Sequence, residues 1–207
     1  ELKEKNKITL PGEERVFVRK AQYQFGWDFG PRFVGCGIWK NVRLISYNDA
    51  RVKDLQCRQK YLSDSLAKVS IKLEVQCKTK GEYEFIIRRY QTPKDIHIKR
   101  ELDAGFNKIE IDHEIKDPQL WYCNGSGKQA MYDFTLTLKN KRILDIKEFS
   151  TGLRKTELIQ KKDSIGESFL FKLNGKEIFM KGANYIPNDV LEPGMHFDRT
   201  KVLIQEC

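Results

Sequence analysis

Between Ala50 and about Ser150 apolar and polar residues alternate one by one in segment after segment, and none of these segments repeats at helical spacing. Successive side chains of an extended chain point to opposite faces, so such a segment buries one face and wets the other. Lys68-Val69-Ser70-Ile71-Lys72-Leu73-Glu74-Val75 keeps strict period two. Lys108-Ile109-Glu110-Ile111-Asp112 and Phe134-Thr135-Leu136-Thr137-Leu138 repeat it. Strands are predicted at 51–60, 67–77, 82–90, 95–101, 107–114, 131–139 and 142–149, with turn signals between them. Seven short strands in about one hundred residues predict an immunoglobulin-like β-sandwich, although the cysteine–tryptophan–cysteine core of antibody domains is not recognisable.

The flanks carry different patterns. Residues 14–20 alternate like a strand, and 37–47 alternate from Trp39 onward. The block up to about residue 47 is therefore read as all-β, with too few strands to close a core by itself. Past the sandwich, 167–173 and 177–182 flank Asn174-Gly175, the strongest short hairpin signal. The polar run Ala183–Asp189 follows, and then 198–206 reads as a helix with Asp198 as N-cap. Strand, polar loop and helix in that order begin a parallel α/β unit, and in barrels of such units the loop after the strand lies on the active face. The polar start at residues 1–7 and a helix that stops after two turns mark the chain as an excised fragment.

Composition narrows the function classes. The net charge is +9, but Lys and Arg are spread among Glu and Asp, with no basic tract interleaved with aromatics. That is a solvated surface, and no nucleic-acid partner is predicted. No segment has the apolar length of a membrane span. The five cysteines form no C-x-x-C pair and are read as free, mostly buried thiols. The three histidines are far apart in sequence, so no metal site and no cofactor is predicted. Asn124-Gly125-Ser126 matches a glycosylation sequon and is a good turn in any case.

One stretch carries candidate chemistry, Gln24-Phe25-Gly26-Trp27-Asp28-Phe29-Gly30-Pro31-Arg32-Phe33. Glycines let the backbone turn where other residues clash, and proline fixes φ. Trp27 and Asp28 therefore lie in a stiff loop. A rigid indole offers an apolar wall to the C–H face of a sugar, and a carboxylate accepts hydrogen bonds from two hydroxyls. The competing reading is an aromatic plug under a sandwich edge, with Asp28 capping a turn.

Three stretches, in order, resemble glycoside hydrolase family 2 and, within it, the β-mannosidases. Phe25–Pro31 resembles the β-mannosidase form Gly-Trp-Asp-Trp-Gly-Pro and is followed by Gly37-Ile38-Trp39-Lys40-Asn41-Val42. Pro118–Gln129 with Met131-Tyr132 resembles the Leu-Trp-x-Pro-Asn-Gly-x-Gly run, with its later Leu-Tyr, that closes the family's sandwich domain. Gly166–Phe169 through Gly182–Pro187 resembles the approach to the first barrel strand. Phe29 stands where Trp is usual, Cys123 where Pro is common, and Thr151-Gly152-Leu153-Arg154 replaces Gly-Phe-Arg.

The resemblance implies an all-β-dominated chain: an immunoglobulin-like sandwich at 49–152, preceded by part of a jelly-roll-type sugar-binding domain at 1–48. Residues 153–207 become the lead-in and first βα unit of a (β/α)8 barrel. It implies a retaining exo-glycosidase acting on terminal β-mannosides, whose two catalytic Glu lie on later barrel strands, so that this chain holds no catalytic residue. Asp28 is implied as the mannose hydroxyl acceptor and Trp27 as the pocket wall. Asn184 and Asp189 are implied as further substrate contacts, with loop capping the alternative for both. Arg32 is read as an inter-domain ion pair, and Trp121 and Tyr122 as packing where the sandwich meets its neighbour. Another family 2 substrate, or a stand-alone carbohydrate-binding or interaction module, stays open. An extracytoplasmic compartment is implied, against which the free cysteines weigh mildly.

Overall fold

All seven predicted sandwich strands are present, with ends within two residues of the expected ones. The computed structural model describes residues 13–38, 40–90, 92, 94–191 and 194–206. The expectations for residues 1–12, Trp39 and Cys207 lie outside those residues. The chain divides into two units, one of residues 45–181 and one of 1–44 with 182–207.

In the larger unit, β1 (Ala50–Leu62), β2 (Leu66–Cys77) and β5 (Gly105–Lys116) form an antiparallel sheet in the order β1-β2-β5. The second sheet runs β4-β3-β6-β7, from β3 (Gly81–Arg89), β4 (Ile96–Leu102), β6 (Tyr132–Lys139) and β7 (Ile143–Thr151). The chain leaves the first sheet after β2, forms β3 and β4 opposite, and returns as β5 to pair along all of β2, from Leu66↔Lys116 to Cys77↔Gly105. The alternation explains the layers. Val69, Ile71 and Val75 of β2 face Phe85, Ile87, Leu136 and Leu138 of the other sheet in one core, all at most 1% exposed. Burying a side chain of this size stabilises the fold by about 1.5–3 kcal/mol.

The two sheets are clasped along β1. It carries irregularities between Val52 and Asp54 and between Gln59 and Tyr61, where its ladder with β2 slips. A bulge frees backbone groups from the ladder. At the first, Val52 N donates to Asp145 Oδ2 of β7 at 2.8 Å. At the second, the Gln59 amide pairs with the Arg154 backbone, donating to its O at 3.0 Å and accepting from its N at 3.1 Å.

One end of the core is polar. Arg89 continues the inward face of Phe85 and Ile87, its guanidinium lying 5.6 Å from the Tyr132 ring. Its Nε and Nη1, and Nε2 of the inward His113, are buried without a hydrogen-bond partner among the described residues. Burial first, and the Arg89 charge second, push the His113 pKa down.

A small sheet, β10-β9-β8, follows from β8 (Thr156–Ile159), β9 (Leu170–Leu173) and β10 (Lys176–Ile178). Its hairpin turns at Asn174-Gly175 with φ of 51° and 78°, the left-handed values that favour Asn and Gly. The strand β8 has no counterpart among the predicted strands. Asn174 docks this sheet on the sandwich, with Oδ1 accepting from Lys155 N at 2.9 Å and Nδ2 donating to Trp121 O at 3.0 Å. Trp121 and Tyr122 sit at that junction, as predicted. Arg154 lies 5.1 Å from the Trp121 ring, and a Cβ at Gly152 would come within 3.0 Å of the indole. Cys36, Cys57, Cys77 and Cys123 are free thiols.

Two predicted strands are absent among the described residues. Residues 13–17 form a 3-10 turn, and 40–47 form no ladder. Ile38, Val42 and Leu44 are 86%, 80% and 99% exposed, so the alternation there has no opposing layer to bury against. The C-terminal helix α1 (Phe197–Glu206) starts one residue earlier than predicted. Asp198 is thus in its first turn, where a carboxylate complements the helix dipole, rather than at the N-cap.

Two outcomes test this fold. Asp145→Ala leaves the buried Val52 N–H unpaired and should cost about 1–3 kcal/mol in chemical denaturation. His113 has a folded pKa below its unfolded value of about 6.5, so the unfolded chain takes up the proton first. Stability is then full well above that value and falls as pH drops through and below it. His113→Leu should flatten this part of the Tm–pH profile, and an unchanged slope would contradict it.

Candidate functional site

The decapeptide 24–33 is a closed loop. Phe33 N donates to Gln24 O at 3.0 Å across its neck. The 3-10 turn Gln22–Phe25 leads in and ends at Gly26, whose φ of 102° suits glycine alone. At the tip, Trp27 N donates to Gly30 O at 3.2 Å and Gly30 N to Trp27 O at 3.3 Å. This reciprocal pair leaves Asp28 and Phe29 as the two corner residues. The Phe29 ring folds back on Tyr23, with centroids 5.8 Å apart. Arg32 braces the neck locally, its guanidinium 5.5 Å from the Phe25 ring and 3.5 Å from the Phe25 carbonyl, and it has no ion pair among the described residues.

Trp27 is 54% exposed. The Asp28 carboxylate is exposed and has no hydrogen-bond or ion-pair partner among the described residues. An indole and a carboxylate with no acceptor valence used by the described residues follow one another on a stiff turn. Such a pair can stack on the apolar face of a polyol ring and accept from adjacent hydroxyls.

The same unit contains the loop after the small sheet. A Cβ at Gly30 would come 2.3 Å from Val190 Cγ1, so the tip of the Trp27 turn rests on the segment next to Asp189. Asp189 shapes its own loop: Oδ1 accepts from Leu191 N at 2.9 Å, and Oδ2 faces Gly194. Asn184 is exposed and makes no hydrogen bond among the described residues. Sequence reasoning passed over Asn188. Its carboxamide accepts from the Tyr185 hydroxyl and donates to Thr200 Oγ1 at 3.1 Å, tying the loop to α1. A depression of about 460 Å3 lies behind the loop neck, between Gln24, Phe33 and Leu191, and neither Trp27 nor Asp28 lines it.

Glu167 and Glu177 belong to local strand structure, Glu177 with Lys172 at 3.6 Å. Among the described residues no group of three His, Cys, Asp or Glu could hold a metal ion, and no helix is long and apolar enough to cross a membrane.

The comparisons with known proteins converge. The model for glycosyl hydrolases family 2 matches residues 50–154, and that for the glycosyl hydrolase 2 galactose-binding domain-like family matches residues 1–40. Beta-mannosidase B of Emericella nidulans is 34% identical over 198 residues, 92% of this chain and 23% of that protein. Beta-mannosidase B of Aspergillus fumigatus is 34% identical over 194 residues, with the same coverage. The chain thus spans about a quarter of the length of the curated relatives it matches. The crystal structure of the β-D-mannosidase from Dictyoglomus thermophilum superposes at a TM-score of 0.82 with 34% identity, covering 99% of this chain and 26% of that one. An exo-chitosanase from Amycolatopsis orientalis, 19% identical over 75% of this chain and 18% of its own, shares the fold at a TM-score of 0.59.

The Gly30–Val190 approach is testable. Gly30→Ala should push the turn off Val190 and speed amide exchange at Trp27 and Gly30, and the added change Val190→Ala should restore protection. Unaltered exchange in Gly30→Ala would show that the turn does not lean on Val190.

Proposed function

This chain belongs to glycosyl hydrolases family 2, and from that premise we propose that it is the non-catalytic centre of a retaining exo-β-mannosidase, which removes terminal β-D-mannose from glycans or manno-oligosaccharides. The observation that carries the reading is the Trp27–Gly30 turn, with its exposed indole beside a carboxylate that has no partner among the described residues. Its residues follow the β-mannosidase pattern in a chain 34% identical to β-mannosidases along nearly its whole length.

In this reading residues 1–48 end a jelly-roll-type sugar-binding domain, 49–152 are the immunoglobulin-like sandwich, and 153–207 lead into a (β/α)8 barrel. The two catalytic carboxylates, about 5–5.5 Å apart in retaining enzymes, belong to later barrel strands, so this chain by itself hydrolyses nothing. What it supplies is recognition at the subsite for the terminal sugar. Asp28 accepts from two vicinal hydroxyls of mannose in charge-assisted hydrogen bonds. An epimer that moves one hydroxyl away leaves that carboxylate under-paired, which is a strong source of discrimination. Trp27 walls the subsite. Asn184 adds an uncommitted carboxamide, and Asp189 acts through the loop it shapes. Phe29, in place of the usual Trp, makes the wall on that side smaller and softens the preference between sugars.

The test uses the protein that carries this segment together with the barrel. Asp28→Ala should lower kcat/KM for an aryl β-mannoside by about a hundredfold or more, with Asp28→Asn falling between it and the parent. Undiminished turnover in Asp28→Ala would remove Asp28 from the site.

A further inference from the structure

The solvent face of the sheet β4-β3-β6-β7 holds two adjoining depressions that nothing above uses. One, of about 390 Å3, lies between Tyr90, Asp133, Glu148 and Ser150. The other, of about 530 Å3, lies between Tyr90, Glu148, Ile86 and Ile146, with Arg88 and Lys139 also in its wall. Both volumes are within the range of small-ligand clefts, roughly 300–1,000 Å3. Tyr90 and Glu148 line both and so form the divide between them.

The register explains the composition. Outward residues of β3, β6 and β7 fall into rows, with Ile86 beside Thr137 and Ile146, and Arg88 beside Thr135 and Glu148. Tyr90 is 60% exposed yet fixed at both ends: its N–H donates to Asp133 O at 3.1 Å, and its hydroxyl accepts from Thr135 Oγ1 at 3.0 Å. The tyrosine O–H remains available to donate. Arg88 is held by Asp95 through two short contacts, 3.0 and 2.8 Å, so its charge is already answered. Glu148 has no hydrogen-bond or ion-pair partner among the described residues, and Asp133 takes only the Ser150 hydroxyl.

Lys139, which also lines the second depression, is paired with Glu84 at 3.0 Å. The divide therefore offers one fixed aromatic ring, small apolar patches and two carboxylates with no ion-pair partner among the described residues. The carboxylates repel anions. No group of three potential metal ligands is present among the described residues. An uncharged chain rich in hydroxyl donors meets every one of these groups. We propose that this face is a second carbohydrate-binding site, taking a neutral oligosaccharide of at least two sugars laid across β3, β6 and β7, with one ring on Tyr90 and its hydroxyls on Glu148 and Asp133. The depression on the opposite sheet, lined by Asp54, Gln56, Lys72, Glu74, Lys108 and Glu110, differs in kind. It has no aromatic, and Glu74 and Glu110 there are committed to Lys53, Lys60 and Lys72.

The ligand class rests on this geometry, and only the choice of a manno-oligosaccharide rests on the β-mannosidase reading. The test is calorimetric and NMR titration of the 207-residue chain with β-1,4-manno-oligosaccharides and, in parallel, cello-oligosaccharides. Saturable millimolar binding of either is expected, weakened at least about tenfold by Tyr90→Ala and by Glu148→Gln and left intact by Gln56→Ala on the opposite sheet. Tyr90→Phe should retain most of the binding and, like Tyr90→Ala, the parent Tm. Binding that survives Tyr90→Ala, binding lost in Gln56→Ala, or no binding of either sugar in the millimolar range would overturn the proposal. Hydrolysis of an aryl β-mannoside by the longer protein is read separately, so failure there leaves this site standing.

Discussion

The pairing of β2 with β5 is the constraint from which the larger unit follows. The two strands are separated in sequence by β3 and β4, yet they match along their whole length. Because the side-chain period is two, a slip of one residue would send Val69, Ile71, Leu73 and Val75 from the core to water. Once that register is set, β3 and β4 have no room in the first sheet and form the second. β6 and β7 then extend the second sheet, and the alternation of all seven strands closes on one core. The clasps along β1 act at its two bulges, where the ladder with β2 has already released backbone groups.

The smaller unit is held differently. Among its described residues Gln24 alone is buried. Its order comes from short-range hydrogen bonds: the neck between Phe33 and Gln24, the reciprocal Trp27–Gly30 pair, and the Asn188 network to α1. Such a unit leaves large apolar groups in water. Trp27, Phe33, Ile38, Tyr185 and Ile186 are all about half exposed or more. For recognition this is an advantage, since a ring that must stack on a ligand has to stay uncovered, and a tight turn fixes it where packing does not.

What the sequence discloses tracks what its neighbours in space supply. Strands β1 to β7 were legible because each meets a partner strand and a buried face, and both leave period two in the residues. Asn174-Gly175 was legible because left-handed φ at two successive positions calls for those residue types. Residues 14–20 and 37–47 carry the same alternation without an opposing layer, so the pattern is there and the strands are not. β8 stayed hidden because its four residues are ordered by docking, through Lys155 and Asn174, rather than by their own pattern. The tight turn that carries Trp27 and Asp28 was legible because glycine and proline announce it. Asn184 and Asn188 are the same residue type in the same loop, and the Tyr185 hydroxyl and the distant Thr200 tie down Asn188, whereas Asn184 makes no hydrogen bond among the described residues.

The central claim is that this segment serves mannose recognition through the Trp27–Asp28 turn. The most direct measurement is kcat/KM of the protein carrying this segment and the barrel against a matched panel of aryl β-mannoside, β-galactoside, β-glucuronide and β-glucosaminide. The account predicts that the mannoside leads the panel by about a hundredfold or more. A different glycoside leading the panel, or no discrimination among the four, would contradict it.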